Sequence, residues 1–154
     1  MEKLTSTETD GWIEGMPVRI IDGKSYLGIL TIPQADLALP VQAEWSYPAL
    51  KVSPCRQSGS YNSRDMVIAG HNYSSELGKL SSLSQGDTVY FTAVDGKTFT
   101  YEVNLVTVIE PEDLDAADGS QWDLTLYTCT YGGSRRVLVG LNQAEGSAAQ
   151  TAAV

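Results

Sequence analysis

Residues 88–103 read TVYFTAVDGKTFTYEV, two runs of β-branched and aromatic residues that flank the pair Asp95-Gly96. Alternation of apolar and polar residues is the pattern of a strand with one buried face. An Asp-Gly pair between two such runs is the strongest short-range signal for a two-residue hairpin turn. This stretch therefore predicts two antiparallel strands joined by a tight turn.

Similar short segments occur on both sides of this hairpin. Only residues 44–51 and 76–83 carry a helical pattern, and each is long enough for one or two turns. Many short strands with few helices favour a sandwich or a closed barrel, and the chain length suits a barrel of about eight strands. We therefore predict a mainly β fold, a closed β-barrel with a few short helices. The predicted strands are 26–32, 37–43, 66–69, 88–94, 98–109, 124–129 and 137–141.

The composition limits the classes of protein that this chain can represent. It has 154 residues, with 10 Lys and Arg against 19 Asp and Glu, which gives a formal net charge of −9. An acidic chain lacks the clustered cations that neutralise phosphates, so we expect no nucleic-acid partner. No apolar run approaches the roughly 20 residues that a membrane-spanning helix needs. We expect one folded domain at 12–143 between flexible segments at 1–11 and 144–154.

Cys129 is the first candidate for chemistry, because it ends an apolar strand directly before a Gly-Gly loop. A thiol at that place can emerge from the sheet edge towards solvent. An unperturbed thiol is only a few per cent ionised at neutral pH, so a nucleophilic cysteine needs a neighbouring imidazole or cation. His71, which ends the apolar segment MVIAG, is the only histidine in the chain. The alternative is a buried cysteine that packs as a small apolar residue.

Arg135 and Arg136 follow Cys129 after a short loop, at the head of the predicted strand 137–141. A short loop favours a hairpin, which would bring an arginine beside the thiol. A guanidinium there can donate hydrogen bonds to a carbonyl oxygen or a developing oxyanion. Because side chains alternate along a strand, only one of the two arginines can face such a site. The alternative is a solvated basic pair that protects a strand edge.

Taken together, these segments resemble the sortase family, the cysteine transpeptidases of Gram-positive cell surfaces. The similarity spans residues 26–141. The combination of TLxTC with an upstream GHN and a downstream arginine is far more specific than any of its parts. The matching segments, in chain order, are VIAGHNY (67–73), GKLSSLSQGDTVYF (78–91), TLYTC (125–129) and RVLV (136–139).

The resemblance implies a role for each residue that matches the family pattern. Cys129 corresponds to the nucleophile, His71 to its proton-transfer partner and Arg136 to the residue that holds the substrate carbonyl and the oxyanion. Arg136 is preferred because related motifs often place the arginine immediately before the apolar triplet; members with one residue in between would select Arg135. Thr128 resembles the family position that helps to bind the sorting peptide.

The reaction implied by the resemblance is a two-step acyl transfer. An LPxTG-like sorting signal of a secreted surface protein is cleaved through a thioester on Cys129, and an amine from the peptidoglycan cross-bridge or a pilin lysine then resolves it. The resemblance also implies action at the extracellular face of the membrane or in the cell wall. Contact with the membrane itself would come only through an anchor outside this sequence.

Two other functions are compatible with the residues alone. A β-barrel cysteine endopeptidase also uses a histidine that precedes its cysteine, but it needs an oxyanion hole built from backbone amides and no arginine. A non-catalytic extracellular β-domain would use both side chains for packing only.

The sequence predicts no cofactor and no metal ligand. The loop 110–121 is acidic and offers clustered carboxylates of the kind that bind calcium in some sortases. It does not follow a calcium-loop motif, and a solvated acidic turn is the simpler interpretation. Cys55 lies in a proline-containing loop and matches no catalytic part, so we expect it to be structural or incidental.

Overall fold

A computed structural model of the chain describes residues 10–50, 52–71, 82–109, 122–129, 136–144 and 150–151. These residues form eleven strands and one short α-helix, with a 3-10 turn at Pro33–Ala35. The elements are β1 (Gly11–Ile13), β2 (Met16–Ile21), β3 (Lys24–Ile32), β4 (Leu37–Gln42), α1 (Tyr47–Leu50), β5 (Cys55–Ser58), β6 (Met66–His71), β7 (Thr88–Ala93), β8 (Lys97–Ile109), β9 (Leu124–Cys129), β10 (Arg136–Gln143) and β11 (Gln150–Thr151).

Eight of these strands close into a barrel, as predicted. The order around it is β3, β4, β5, β6, β9, β10, β8 and β7, and β7 returns to pair with β3. Neighbouring strands are antiparallel except for the parallel pairs β4–β5 and β6–β9. β1 and β2 extend the sheet from β3, and β11 adds to β8.

All seven predicted strands are present, but β1, β2, β5 and β11 were not predicted. β2 begins with three successive buried residues and contains Pro17, so it lacks an alternating pattern. β5 reads Cys-Arg-Gln-Ser, and its buried Arg56 is accommodated because its Nε and Nη1 donate to the carbonyl oxygens of Ala43 and Gly59 at 3.0 and 2.9 Å. Hydrogen bonds to carbonyls therefore allow a polar segment to form an interior strand.

The hairpin between β7 and β8 pairs antiparallel as predicted, but its predicted two-residue turn is wrong. The loop has three residues, 94–96, because β7 ends at Ala93 and β8 begins at Lys97. The Gly96 N–H donates to the Ala93 carbonyl oxygen at 2.9 Å, and Gly96 has a φ of 93°. Three-residue hairpins typically combine a turn with a left-handed glycine, which explains why the Asp-Gly pair fits here as well.

Apolar side chains pack on both faces of the sheet. The main core fills the barrel, and β6 contributes Met66 and Ile68 to it. The alternate residues of β6 belong to a second apolar group on the outer face, which we call the outer cluster. Trp45 and Ala49 pack against this cluster, so the segment around α1 covers it. The outer cluster consists of Leu50, Cys55, Val67, Ala69, Tyr127 and Leu138.

The predicted helix at 44–51 is confirmed as α1, whereas the predicted helix at 76–83 lies almost entirely outside the described residues. The same holds for most of the two segments predicted to be flexible, 1–11 and 144–154, so that prediction stays untested. Within those segments, β1 begins at Gly11 and β11 pairs with the start of β8. No described helix has the length and apolarity that crossing a bilayer requires.

Candidate active site

The candidate site lies where the parallel strands β6 and β9 end. These strands pair in register over six residues, from Met66 opposite Leu124 to His71 opposite Cys129. Neighbouring strands are about 4.8 Å apart in a sheet. Because parallel strands run in the same direction, their last residues meet at one edge. His71 and Cys129, which are 58 positions apart in the sequence, are therefore direct neighbours in the fold.

β10 brings Arg136 to the same edge. It pairs antiparallel with β9 from Leu141 opposite Leu124 to Leu138 opposite Tyr127. Beyond that pair a side chain joins the two strands, because the Val137 N–H donates to Thr128 Oγ1 at 3.1 Å. The next step of the same register brings Arg136 level with Cys129. On its other side, Arg136 is paired with Ile109 of β8.

The three positions also belong to one face of the sheet. On each strand, the residue two positions away from the predicted catalytic residue is a member of the outer cluster. Because residues two positions apart share a face, positions 71, 129 and 136 belong to the outer face. The fold therefore places three residues predicted from sequence at one edge and on one face. The flanking residues are Ala69, Tyr127 and Leu138.

Thr128 differs from its neighbours in face and in environment. Its side chain is 2% exposed, and its Oγ1 accepts the Val137 N–H. In this structure the hydroxyl is thus hydrogen-bonded to the backbone of β10. The prediction that Thr128 binds the sorting peptide stays a prediction. Arg135 and the loop 130–135 lie outside the described residues.

Residues of the outer cluster lie on the strands that end at the candidate site. Tyr127, two residues before Cys129, is buried there, and its hydroxyl donates to Gln57 Oε1 on β5. No pattern in the sequence indicates this contact, because β5 is polar and was not predicted as a strand. Cys55 is fully buried in the same cluster, and its thiol donates to the Ser53 carbonyl oxygen at 3.4 Å. This environment agrees with a structural role for Cys55.

Another group of titratable side chains lies at the opposite end of β6 and β9. Arg64 Nη2 and Asp123 Oδ2 form an ion pair at 2.8 Å just before these strands begin. Burial raises the pKa of Tyr101 and of Tyr61 well above the usual range of a phenol, so both remain neutral. These groups lie at the opposite ends of β6 and β9 from His71 and Cys129, and we assign them to the stability of the barrel.

Within the described residues, no three His, Cys, Asp or Glu side chains are grouped so that they could hold a metal ion. The acidic loop 110–121, which the sequence singled out as the place with clustered carboxylates, lies outside those residues. The prediction of no cofactor and no metal therefore stays untested.

Comparison with known proteins identifies the family. The family model described as "Sortase domain" matches residues 30–143, so the chain belongs to the sortase family. That match includes β6, β9 and β10 and hence all the candidate site residues. A comparison with curated proteins finds no significant match.

Solved sortase structures share this fold. The chain is similar to a lid mutant of sortase A from Corynebacterium diphtheriae, with 25% identity and a TM-score of 0.64 over 77% of this chain and 70% of that one. It is similar to sortase C1 from Streptococcus agalactiae, with 27% identity and a TM-score of 0.67 over 82% and 71%. It also resembles Clostridium perfringens sortase C, whose structure was solved with the C-terminal cell wall sorting motif, with 26% identity and a TM-score of 0.66 over 78% of this chain and 71% of that one.

Proposed function

We propose that this chain cleaves an LPxTG-like sorting signal through a thioester on Cys129 and transfers the acyl group to an amine. One observation carries the proposal: the register of β6, β9 and β10 gathers positions 71, 129 and 136 at one edge and on one face of the sheet. The three residue types are those that acyl transfer through a thiol needs, and the chain belongs to a family of cysteine transpeptidases.

In the first step the Cys129 sulfur attacks the carbonyl carbon of the scissile peptide bond. A sulfur–carbon bond forms, and the carbonyl oxygen becomes an oxyanion, which the Arg136 guanidinium stabilises by donating hydrogen bonds. His71 takes the thiol proton and delivers it to the leaving amine as the carbon–nitrogen bond breaks. The product of this step is a thioester on Cys129 and a free amine.

In the second step an incoming amine attacks the thioester. His71 accepts a proton from that amine, a new amide bond forms, and the Cys129 thiol is released. The acceptor class that we propose is a primary amine of a peptidoglycan cross-bridge or of a pilin lysine. The donor class is the sorting signal of a secreted surface protein, and the structure of Clostridium perfringens sortase C with the C-terminal cell wall sorting motif supports this choice.

Alternation along β10 favours Arg136 over Arg135 as the oxyanion residue. Position 136 is two residues from Leu138, which belongs to the outer cluster, so the two positions share a face of the sheet. Position 135 is two residues from Val137, which packs against the main core. If β10 began at position 135, that residue would therefore belong to the opposite face of the sheet from Cys129.

We place this reaction at the extracellular face of the membrane or in the cell wall, where sorting signals and peptidoglycan amines meet. The chain's formal charge of −9 disfavours nucleic acid as a partner.

The proposal is tested by incubating the protein with LPxTG-like peptides and a set of amines and analysing the products by mass spectrometry. We expect amide products with the wild type, and at least about a 100-fold loss of rate in Cys129→Ala, His71→Ala and Arg136→Ala. Cys55→Ser is the matched control, because it removes the other thiol and should retain the activity of whatever fraction folds.

Three results would contradict the proposal. Hydrolysis without aminolysis by any amine, or cleavage that survives Arg136→Ala, would indicate an endopeptidase. Absence of any product or thioester with every peptide would indicate a non-catalytic domain. Circular dichroism of each variant shows whether a loss of activity is a loss of fold.

A further inference from the structure

The junction between β9 and β10 next to the candidate site is held by a side chain. Backbone pairing of these strands extends to Leu138 opposite Tyr127, and the next contact is the hydrogen bond from the Val137 N–H to Thr128 Oγ1 at 3.1 Å. This bond is partly buried, and an N–H that is shielded from water and lacks an acceptor is costly. Thr128 thus fixes the backbone of β10 at its first residues.

The two bonded residues are sequence neighbours of the two proposed catalytic residues. Thr128 immediately precedes Cys129, and Val137 immediately follows Arg136. The hydrogen bond between them joins β9 and β10 at this level. On its other side Arg136 is paired with Ile109 of β8, so this bond acts on the side of β10 that faces β9 and Cys129.

We propose that Thr128 is a positioning residue: by accepting the Val137 N–H, its hydroxyl keeps Arg136 opposite Cys129 in the register of β9 and β10. The inference rests on the proposed function and assigns Thr128 a role through Arg136 instead of a direct contact with substrate. The side chain is 2% exposed, which agrees with a role inside the sheet. Misplacing a catalytic group by about 1 Å can cost 100-fold in rate, so a single bond at this junction matters for chemistry.

Three variants separate the oxygen from the shape of the side chain. Thr128→Val keeps the shape and removes the acceptor, whereas Thr128→Ser keeps the hydroxyl. Thr125→Val is the matched control, because Thr125 is on the same strand and fully buried, and its Oγ1 has no hydrogen-bond partner in the described part of the chain. Removal of that hydroxyl breaks no bond seen in the structure.

Hydrogen exchange of the Val137 amide tests the bond without requiring any activity. We expect Thr128→Val to speed this exchange by about tenfold or more, because the amide loses its acceptor. Thr128→Ser and Thr125→Val should leave it near the wild-type rate. An unchanged Val137 exchange rate in Thr128→Val would overturn the proposal.

Steady-state kinetics with an LPxTG-like peptide and an amine test the consequence. We expect Thr128→Val to lower kcat by about 10- to 100-fold with KM unchanged, and Thr128→Ser to stay within about threefold of the wild type. In an Arg136→Lys background the additional loss from Thr128→Val should shrink, because the group that Thr128 positions has been replaced.

A raised KM with unchanged kcat would assign Thr128 to substrate binding and overturn the positioning role. An equal loss with and without Arg136→Lys would do the same. Wild-type protein without any acyl transfer would instead refute the proposed function, and the exchange rate of the Val137 amide would still report whether Thr128 holds β10.

Discussion

At the level of single residues, the proposed function assigns different roles to the two cysteines. Cys55 is fully buried, and its thiol donates to the Ser53 carbonyl oxygen. Cys129 is the last residue of β9, at an edge of the sheet beside His71. Burial suppresses thiolate formation, whereas a neighbouring imidazolium promotes it. The two thiols should therefore differ strongly in reactivity.

We predict that iodoacetamide modifies Cys129 in the native protein and Cys55 only after unfolding. Peptide mass spectrometry after limited labelling locates the modified thiol. His71→Ala should slow the labelling of Cys129, because the thiolate loses its partner. Labelling of Cys55 in the folded protein, or an inert Cys129, would contradict this assignment.

A second residue-scale prediction concerns Asp65 in the turn before β6. Its Oδ1 accepts the Ser63 hydroxyl and the Ser60 N–H, the latter at 3.0 Å, and these bonds lower the pKa of Asp65 below 3.8. A lowered pKa in the folded state means that the carboxylate stabilises the fold above pH 3.8 and that this contribution disappears as the pH falls through the folded-state pKa.

Asp65→Asn should therefore be less stable than the wild type at about pH 6, and the difference should narrow towards about pH 3. Urea unfolding at both pH values measures it. Asp36→Asn is the control for the loss of one exposed charge, since asparagine also tolerates the left-handed φ of 55° there. A stability difference that is equal at both pH values would contradict the prediction.

At the level of elements, the barrel depends on the close approach of β3 and β7, which completes the circle. Gly28 of β3 lies so near β7 that a Cβ there would be 2.1 Å from the Thr92 carbonyl oxygen. A backbone atom of a paired strand cannot move aside without breaking the pairing. Gly28 is thus a position where the barrel requires the absence of a side chain.

Gly28→Ala should destabilise the fold by about 3 kcal/mol, measured by urea unfolding. Gly23→Ala is the control, because Gly23 has a left-handed φ of 79° but no atom within 4 Å of the added Cβ. It should cost only the backbone strain of about 1 kcal/mol. Equal losses in the two variants would show that the contact with Thr92 is unimportant.

The sequence predicted the strands that are rich in apolar, β-branched and aromatic residues. β7 and β8 have that pattern, and their pairing was correct. β5 was missed because Arg56 is buried by hydrogen bonds to carbonyl oxygens, which composition does not reveal. The three-residue hairpin was mistaken for a two-residue turn because an Asp-Gly pair fits both.

At the level of the whole molecule, the candidate site is a product of long-range pairing. The residues His71 and Cys129 were predictable from their types, their strand-end positions and a family resemblance. Their juxtaposition was expected from the family resemblance alone, because the parallel pairing of β6 and β9 joins segments that are far apart in the sequence. No pattern in the sequence indicated the bond from Val137 to Thr128.

Under the proposed function, the two ends of the barrel have different roles. The end where β6 and β9 begin carries the Arg64–Asp123 ion pair and the buried tyrosines, and the end where they stop carries His71 and Cys129. Substitutions at the first end should act through stability, and those at the second through chemistry.

The most direct test of the central claim is intact-mass analysis of the protein mixed with an LPxTG-like peptide in the absence of any added amine. The account predicts an acyl adduct with the mass of the peptide minus its leaving group, located on Cys129 by fragmentation and released by an added amine as a new amide. It also predicts no adduct in Cys129→Ala. An adduct on Cys55, or peptide cleavage that persists in Cys129→Ala, would contradict it.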